Sequence, residues 1–189
     1  MKIGVLALQG AFREHCWMLE RLGVTAVEVR KPAELDDIAG LVIPGGESTT
    51  IGKLMVQWGL LEKIRDRAQQ GMGIYGTCAG MIILAKEIIG SDQPRLGLMD
   101  MAVRRNGFGR QRESFEATML VPEFGRQPVE AVFIRAPYIE RADENVKVMA
   151  IVNDKIVIAR QDKFLVTAFH PELTDDDRIH KYFLSMISE

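Results

Sequence analysis

A single cysteine, Cys78, stands between two glycines in the stretch Gly76-Thr77-Cys78-Ala79-Gly80, directly after an apolar run at residues 72–75. Small residues beside a nucleophile let the chain turn sharply from a strand into a helix and hold the nucleophile above the sheet in a strained backbone conformation. The N-terminus of the following helix favours the reactive thiolate form of such a cysteine. Taken alone, the pattern fits equally well a glycine-rich turn around a buried, inert thiol.

A second chemical pair lies near the C-terminus, where Pro171 separates His170 from Glu172. Residues two apart in extended chain project to the same side, so the carboxylate can meet one imidazole nitrogen while the other nitrogen faces elsewhere. By itself, this His-Pro-Glu segment also fits an ordinary turn. Together with Cys78 it provides a nucleophile, a base and an orienting carboxylate, which thiol acyl transfer requires.

The loop Pro44-Gly45-Gly46-Glu47-Ser48 follows an apolar run at residues 41–43. Two adjacent glycines leave the backbone free to point N–H groups at a ligand. Ser48 or Thr49 can cap the helix that follows, whose apolar stripe comprises Ile51, Leu54, Met55 and Trp58. A plain strand-to-helix connection is the alternative interpretation of this loop.

The elements that must position these residues alternate between strand and helix as far as the helix after Cys78. This alternation predicts an α/β fold with three layers, in which a mostly parallel central sheet is flanked by helices. Loops at the carboxyl ends of parallel strands carry function in such folds, and both glycine loops lie at such ends. Beyond residue 89 the chain is rich in extended segments, which predict added antiparallel strands in the C-terminal half.

Three other residues with reactive side chains lie on predicted helices. Cys16 shares a helical face with Phe12 and Leu19, so we interpret it as a core residue. His15 lies one position off that stripe and is interpreted as a solvated or interface residue. His180 lies within the final helix, where we expect a surface or packing role.

Composition limits the functional classes. The chain has 189 residues, 47% hydrophobic and 26% charged, which is enough for one sizeable core and predicts a single domain over residues 1–189. A formal net charge of -2 gives no basic surface for nucleic acid. The chain begins directly in an apolar strand and contains no membrane-length apolar run, so we expect a cytoplasmic protein. Its two cysteines do not suggest a disulfide framework.

The three motifs resemble the oxyanion loop, nucleophile elbow and His-Glu pair of the triad-type (class I) glutamine amidotransferases, which have a flavodoxin-like fold. The resemblance narrows to the glutaminase subunits of pyridoxal 5′-phosphate synthase and covers essentially the whole chain. The segments that carry it are Leu8-Gln9-Gly10-Ala11, Arg13-Glu14-His15, Gly46-Glu47-Ser48-Thr49-Thr50, Arg105-Asn106, Phe108-Gly109-Arg110-Gln111, Ser114-Phe115-Glu116, Phe133-Ile134-Arg135-Ala136-Pro137 and His170-Pro171-Glu172-Leu173-Thr174.

The resemblance implies hydrolysis of L-glutamine to L-glutamate and ammonia through a γ-glutamyl thioester on Cys78, with His170 as acid and base and Glu172 as its orienting group. Backbone N–H groups of Gly46 and Ala79 are expected to form the oxyanion hole. The implied glutamine-binding residues are Gly46, Glu47, Ser48, Arg105, Ile134 and Arg135. Arg105 suits the substrate carboxylate, while Glu47 and main-chain groups suit the ammonium.

The resemblance also implies a partner, a barrel-type pyridoxal 5′-phosphate synthase that receives the ammonia. We expect part of the contact at residues 9–15, and no cofactor or metal in this chain. Two alternatives stay open: a glutaminase subunit of another amidotransferase, and a non-hydrolytic redox or stress domain that uses the elbow cysteine as an oxidation sensor.

Overall fold

The computed structural model describes residues 1–109 and 113–188. Its helices are α1 (Phe12–Arg21), α2 (Ser48–Gln57), α3 (Leu60–Gln69), α4 (Ala79–Leu84) and α5 (Arg178–Ser188). Its strands are β1 (Lys2–Leu6), β2 (Thr25–Val29), β3 (Gly40–Ile43), β4 (Gly73–Thr77), β5 (Ala85–Ile88), β6 (Met99–Arg104), β7 (Ser114–Met119), β8 (Val129–Ile134), β9 (Tyr138–Ala142), β10 (Lys147–Val152), β11 (Lys155–Gln161) and β12 (Phe164–Thr167). Short 3-10 helices cover Pro32–Leu35, Pro122–Phe124 and Pro171–Leu173.

The described residues form one ten-stranded sheet in the order β2-β1-β3-β4-β12-β11-β9-β6-β5, with β10 also paired to β11. The five neighbouring strands from β2 to β12 are parallel. Strand β11 runs antiparallel to β12, β9 and β10, and β7 and β8 form a separate antiparallel pair. The predicted parallel sheet with antiparallel additions in the C-terminal half is therefore confirmed.

Alternate residues of β4 face two different helical layers. The ring of Tyr75 lies 5.7 Å from that of Phe183 on α5, and Gly73 lies against the same helix. Gly76 faces the opposite side of the sheet, where it touches the backbone of Gly80 on α4. This alternation gives the predicted three layers, with β4 at the centre.

The central strands are buried along their length, as parallel strands covered on both faces must be. Every residue of β3 and of β4 is buried, and their side chains belong to a core cluster that continues into α1, α4 and α5. Within the described ranges, no helix is long and apolar enough to cross a membrane.

Two strands, β5 and β9, were not predicted. We expected extended segments only beyond residue 89, but α4 ends at Leu84 and the chain continues as β5, which pairs with β6. Lys86 and Glu87 within β5 are exposed, so its four residues show no apolar run that would predict a strand, and the available partner strand decides. Trp58 was also expected in the core, but it follows the last residue of α2 and is half exposed.

Gly80 provides a test of the close packing between α4 and the sheet. An added Cβ at Gly80 would collide with the backbone carbonyl of Ile43 on β3. Replacing a helical glycine by alanine normally stabilises a protein, but we expect Gly80→Ala to lower the free energy of unfolding by about 1–3 kcal/mol because the added methyl overpacks this contact. Denaturant unfolding measures the change.

The control is Lys53→Ala, which introduces the same residue type at an exposed position within α2. Alanine is the best helix former and the substitution adds no atoms that could overpack a buried neighbour, so this variant should stay close to the wild type. A Gly80→Ala protein as stable as this control would contradict the close approach of α4 to β3.

Candidate active site

Cys78 occupies the sharp turn between β4 and α4. Its backbone has φ 49° and ψ -101°, a conformation that a non-glycine residue adopts only where the surrounding structure enforces it. The Cys78 N–H donates to the carbonyl of Thr167 on the neighbouring strand β12, at 2.8 Å. The strained backbone conformation predicted from the flanking glycines is therefore present at Cys78, and a hydrogen bond to the sheet maintains it.

The glycine loop after β3 packs directly against this turn. A Cβ at Gly45 would overlap the ring of His170 and come within 3.4 Å of the Cys78 Cβ. The absence of a side chain at Gly45 therefore lets three loops converge: the one after β3, the turn after β4 and the segment after β12.

His170 and Glu172 are joined by a hydrogen bond of 2.7 Å between Nδ1 and Oε1. The two residues do not lie in extended chain as predicted, because β12 ends at Thr167 and Glu172 lies in the 3-10 helix Pro171–Leu173. His170 precedes that helix, and the tight turn brings the carboxylate back to the imidazole. The His170 N–H donates to the carbonyl of Val132 on β8, which fixes the start of this turn.

The electrostatics of the pair favour an imidazolium beside a carboxylate. Burial disfavours a charge on His170, but the adjacent Cys78 and Glu172 groups outweigh it and raise the pKa of His170 to about 10. Burial likewise opposes ionisation of Glu172, while His15 and His170 lower its pKa overall. Because the pKa of His170 lies above that of a free histidine, its stabilising charge is lost only as the pH rises through about 10.

The two remaining histidines lie behind the pair. The solvated role predicted for His15 was wrong, and of the two roles expected for His180, at the surface or in packing, the structure gives the packing role. His15 on α1 and His180 on α5 are each 0% exposed. His15 Nδ1 lies 2.9 Å from His180 Nε2, and His15 Nε2 lies 3.1 Å from Thr77 Oγ1 and 3.4 Å from Glu172 Oε2. A helical core stripe is wide enough to include a residue beside its central line, which is the signal we missed. Cys16, by contrast, is buried as predicted.

A cavity of about 560 Å³ opens in front of Cys78. It brings together most of the residues singled out from the sequence: Gly46, Glu47, Ser48, Cys78, Arg105, Ile134, Arg135 and His170. Ala79 lies just behind the cysteine as the first residue of α4, and Glu172 lies behind His170. The residues predicted from five separate segments of the sequence therefore lie around one cavity.

Glu47 has a structural task at the entrance of this cavity. Its carboxylate accepts hydrogen bonds from the N–H groups of Thr49 and Thr50 and from the Thr50 hydroxyl, which together lower its pKa. Glu47, rather than the expected Ser48 or Thr49, therefore caps α2. Its longer side chain reaches back over the first turn, and its negative charge suits the helix dipole.

Arg105 is held in the cavity wall by Gln93, a residue that was not among the predicted site residues. Gln93 is buried, and its side-chain carbonyl accepts from Arg105 at 2.9 Å and from the hydroxyl of Thr49 at 3.2 Å. The Ser48 hydroxyl lies 3.4 Å from the same oxygen. No sequence motif marks Gln93, since its contact with Arg105 arises only when the segment after β5 folds against α2.

The strand β8 and the segment after it complete the wall. The Ile134 carbonyl lies 3.9 Å from the Cys78 sulfur, and Arg135 follows with a φ of 43° and an exposed side chain. Its backbone N–H donates to the Glu113 carbonyl. Arg110 and Gln111, from the segment Phe108-Gly109-Arg110-Gln111 that contributes to the family resemblance, lie outside the described residues.

The loop after β1 holds the glycine loop from the other side. The Ala11 N–H donates to the Gly45 carbonyl at 3.0 Å, and the Gln9 side-chain carbonyl accepts from the Glu47 N–H at 2.7 Å. Gly10 approaches the Gly45 carbonyl so closely that a side chain there would collide with it. Residues 9–11 therefore set the orientation of the peptide groups around Gly45 and Gly46.

Almost the whole chain is similar to known proteins. The model of the SNO glutamine amidotransferase family matches residues 5–189. The chain belongs to that glutamine amidotransferase family. Its curated relatives include proteins named pyridoxal 5′-phosphate synthase subunit PdxT from Moorella thermoacetica and Desulforamulus reducens. They are 60% and 62% identical over 187 residues, which are 99% of this chain and 100% of each relative.

Solved structures agree with this glutamine amidotransferase fold. A crystal structure described as a glutamine amidotransferase superposes with a TM-score of 0.95 at 51% identity and covers 99% of both chains. The structure of PurLQS from Thermotoga maritima has a TM-score of 0.73 at 16% identity, with 97% of each chain covered. At that identity, the second likeness concerns the fold alone.

The two cysteines should differ strongly in reactivity. Burial, together with nearby Glu28 and Glu20, raises the pKa of Cys16 to about 11. Cys78 instead borders the open cavity next to His170, so we expect iodoacetamide at neutral pH to alkylate Cys78 at least about tenfold faster than Cys16. Peptide mass spectrometry over a time course measures both rates.

His170→Gln is the informative variant in this experiment. It removes the positive charge beside the sulfur while keeping a polar side chain, so labelling of Cys78 should slow and labelling of Cys16 should not change. Equal labelling rates for the two cysteines in the wild type would contradict the assigned geometry.

Proposed function

We propose that this chain hydrolyses L-glutamine to L-glutamate and ammonia, and that it supplies the ammonia to a separate subunit that makes pyridoxal 5′-phosphate. One observation carries the proposal: in a member of a glutamine amidotransferase family, a strained cysteine shares a cavity with a histidine that is hydrogen-bonded to a buried carboxylate. Those are the groups needed to break an amide through a covalent thioester.

The reaction proceeds in two halves. The Cys78 thiolate attacks the side-chain amide carbon of glutamine, and His170 donates its proton to the departing nitrogen, which leaves as ammonia. His170 then removes a proton from water, whose oxygen attacks the γ-glutamyl thioester and releases glutamate and the thiolate. Glu172 holds Nδ1 of His170 throughout, so that Nε2 carries the exchanged proton.

Backbone N–H groups of Gly46 and Ala79 stabilise the tetrahedral oxyanion in this mechanism. The Gly45 carbonyl is engaged by Ala11, and the N–H of the same trans peptide, that of Gly46, points to the opposite side. Ala79 opens α4, so its N–H belongs to the first turn, where helical N–H groups have no acceptor within the helix. Loss of one oxyanion donor costs about 100- to 1,000-fold in rate.

The remaining cavity residues bind the substrate. Arg105 pairs with the α-carboxylate of glutamine through its planar guanidinium. The main chain at Gly46 and Glu47 and the Ile134 carbonyl suit the α-ammonium. The Glu47 carboxylate adds negative charge from its position at the N-terminus of α2. Ser48 and Arg135 complete the pocket. We assign no metal and no cofactor to this reaction.

We further propose a barrel-type pyridoxal 5′-phosphate synthase as the partner, docked around residues 9–15. The names of the curated relatives support this assignment, and so do the bonds from Gln9 and Ala11 to the glycine loop, because they connect that surface to the oxyanion site. We also propose that residues 1–189 form one glutaminase domain, an interpretation supported by the continuous core. The cytoplasmic location stays a prediction from the sequence.

Ammonia release from glutamine tests the activity and its nucleophile. We expect the wild type to release ammonia faster when its cognate synthase is present, and Cys78→Ala to lose activity by more than about 1,000-fold, because no other group can form the thioester. Glu172→Gln should also be severely impaired, since it removes the charge that stabilises the imidazolium. Turnover that persists in Cys78→Ala would rule out the mechanism.

Gln93 provides a separate test of the binding pocket. Gln93→Leu removes the acceptor that holds Arg105, so KM for glutamine should rise about tenfold while kcat changes little, the pattern expected for lost binding rather than lost chemistry. Steady-state kinetics of ammonia release distinguish the two parameters. The control is Asp92→Asn, an exposed neighbour, which should leave both unchanged; an equal rise in KM for this control would refute the role of Gln93.

A further inference from the structure

The buried histidines His15 and His180 adjoin the triad on the side away from the substrate cavity. They come from two different helices, α1 and α5, and both are completely buried. A buried polar side chain without a partner is unfavourable, yet this fold places two imidazoles in contact with each other and one of them beside Glu172. Core packing alone would be achieved more simply by apolar residues at both positions.

The contacts form a continuous series of side chains. His170 Nδ1 meets Glu172 Oε1 at 2.7 Å, and the other carboxylate oxygen, Oε2, lies 3.4 Å from His15 Nε2. His15 Nδ1 then meets His180 Nε2 at 2.9 Å. Among the described residues, Glu172 Oε2 is buried without a hydrogen-bond partner. His15 Nε2, which is hydrogen-bonded to Thr77 Oγ1 at 3.1 Å, lies 3.4 Å from this oxygen.

We propose that His15 is a positioning residue of the catalytic triad. Its Nε2–H, hydrogen-bonded to Thr77 Oγ1, presents the positive end of the N–H dipole 3.4 Å from the second carboxylate oxygen of Glu172, and His180 fixes His15 in that tautomer. The proposal rests on the triad assigned above. His15 and His180 then keep the carboxylate in place from the side opposite His170, so that Oε1 of Glu172 stays aligned with His170.

The tautomers follow from the arrangement of partners. A neutral imidazole carries one N–H. The Thr77 hydroxyl can pair with His15 Nε2 in either tautomer, but a lone pair on Nε2 would also lie 3.4 Å from an ionised carboxylate, so the hydrogen belongs on Nε2. His15 Nδ1 is then an acceptor, and the 2.9 Å contact requires His180 Nε2 to donate. His180 Nδ1 is left as a bare lone pair, and it is the one His180 nitrogen without a partner in the described structure. The reverse assignment would bury an unpaired N–H there.

The surroundings support neutral rings. Burial lowers the pKa of His15, although Glu172 opposes that effect, and burial lowers the pKa of His180 further. The titratable groups that face His15 are Glu172 and His170 from the segment after β12, His180 from α5 and Glu14 on α1, with Tyr75 of β4 packed edge-on. Neutral, fixed imidazoles can orient a carboxylate without competing with His170 for its proton.

Kinetics with the complete chain and its cognate synthase test the proposal. In His15→Leu we expect kcat for ammonia release to fall about tenfold or more, the loss found when a group that orients a metal-ligating side chain is removed. KM for glutamine should be unchanged, because no residue of the substrate cavity is altered. His15→Gln keeps an amide donor near the position of Nε2 and should recover much of kcat. His180→Leu should lower kcat less, since Thr77 still contacts His15. Cys16→Ala, on the same helix, is the control and should match the wild type.

A spectroscopic measurement keeps the test independent of folding in the variants. Nitrogen-15 NMR of the wild-type imidazoles should show both His15 and His180 as neutral Nε2–H tautomers. A His15 Nδ1–H tautomer, or a folded His15→Leu with unchanged kcat, would overturn the proposal. Loss of activity in Cys78→Ala beside full activity in His15→Leu would overturn this inference alone, whereas activity in Cys78→Ala would overturn the triad itself.

Discussion

The carboxylate of Glu172 is a buried negative charge. The turn after β12 and helices α1 and α5 are arranged so that polar groups surround this charge. Removing an ionised carboxylate from water costs several kcal/mol unless opposite charge and hydrogen bonds replace the solvent. His170 supplies a hydrogen bond to one oxygen, and His15 faces the other. The turn after β12, helix α1 and, through His180, helix α5 must therefore meet at one point. The same charge raises the pKa of His170 and so prepares the imidazolium that acid catalysis requires.

Parallel strands bring this charge to the nucleophile. Strands β3, β4 and β12 are adjacent and run in the same direction, so the loops that follow them emerge at one edge of the sheet. The loop after β3 contributes Gly45 and Gly46, the turn after β4 contributes Cys78, and the segment after β12 contributes His170 and Glu172. Glycines occupy the positions of closest packing, since Gly45 lies against the imidazole ring of His170 and Gly80 against the backbone carbonyl of Ile43.

Residues around the triad position the loops and side chains that line the cavity. Glu47 caps α2 with its side chain, which anchors the loop that carries Gly46. Gln93 holds Arg105 on the opposite wall. The loop after β1 fixes the Gly45 carbonyl through Ala11, so the surface proposed for the partner is one hydrogen bond away from the peptide proposed to hold the oxyanion. Binding of a partner at that surface can therefore change the orientation of the proposed oxyanion-binding peptide through backbone hydrogen bonds.

The sequence alone determined the features that follow from local pattern. Alternating apolar runs and helical stripes predicted the parallel sheet correctly, because periodicity records which faces are buried. The flanking glycines predicted the sharp turn at Cys78, since only small residues permit it. Tertiary structure alone decided the burial of His15 and His180, the contact of Gln93 with Arg105 and the assignment of β5 as a strand. Each depends on a partner distant in sequence, and a buried polar residue or a short strand has no local pattern that reveals which partner it will meet.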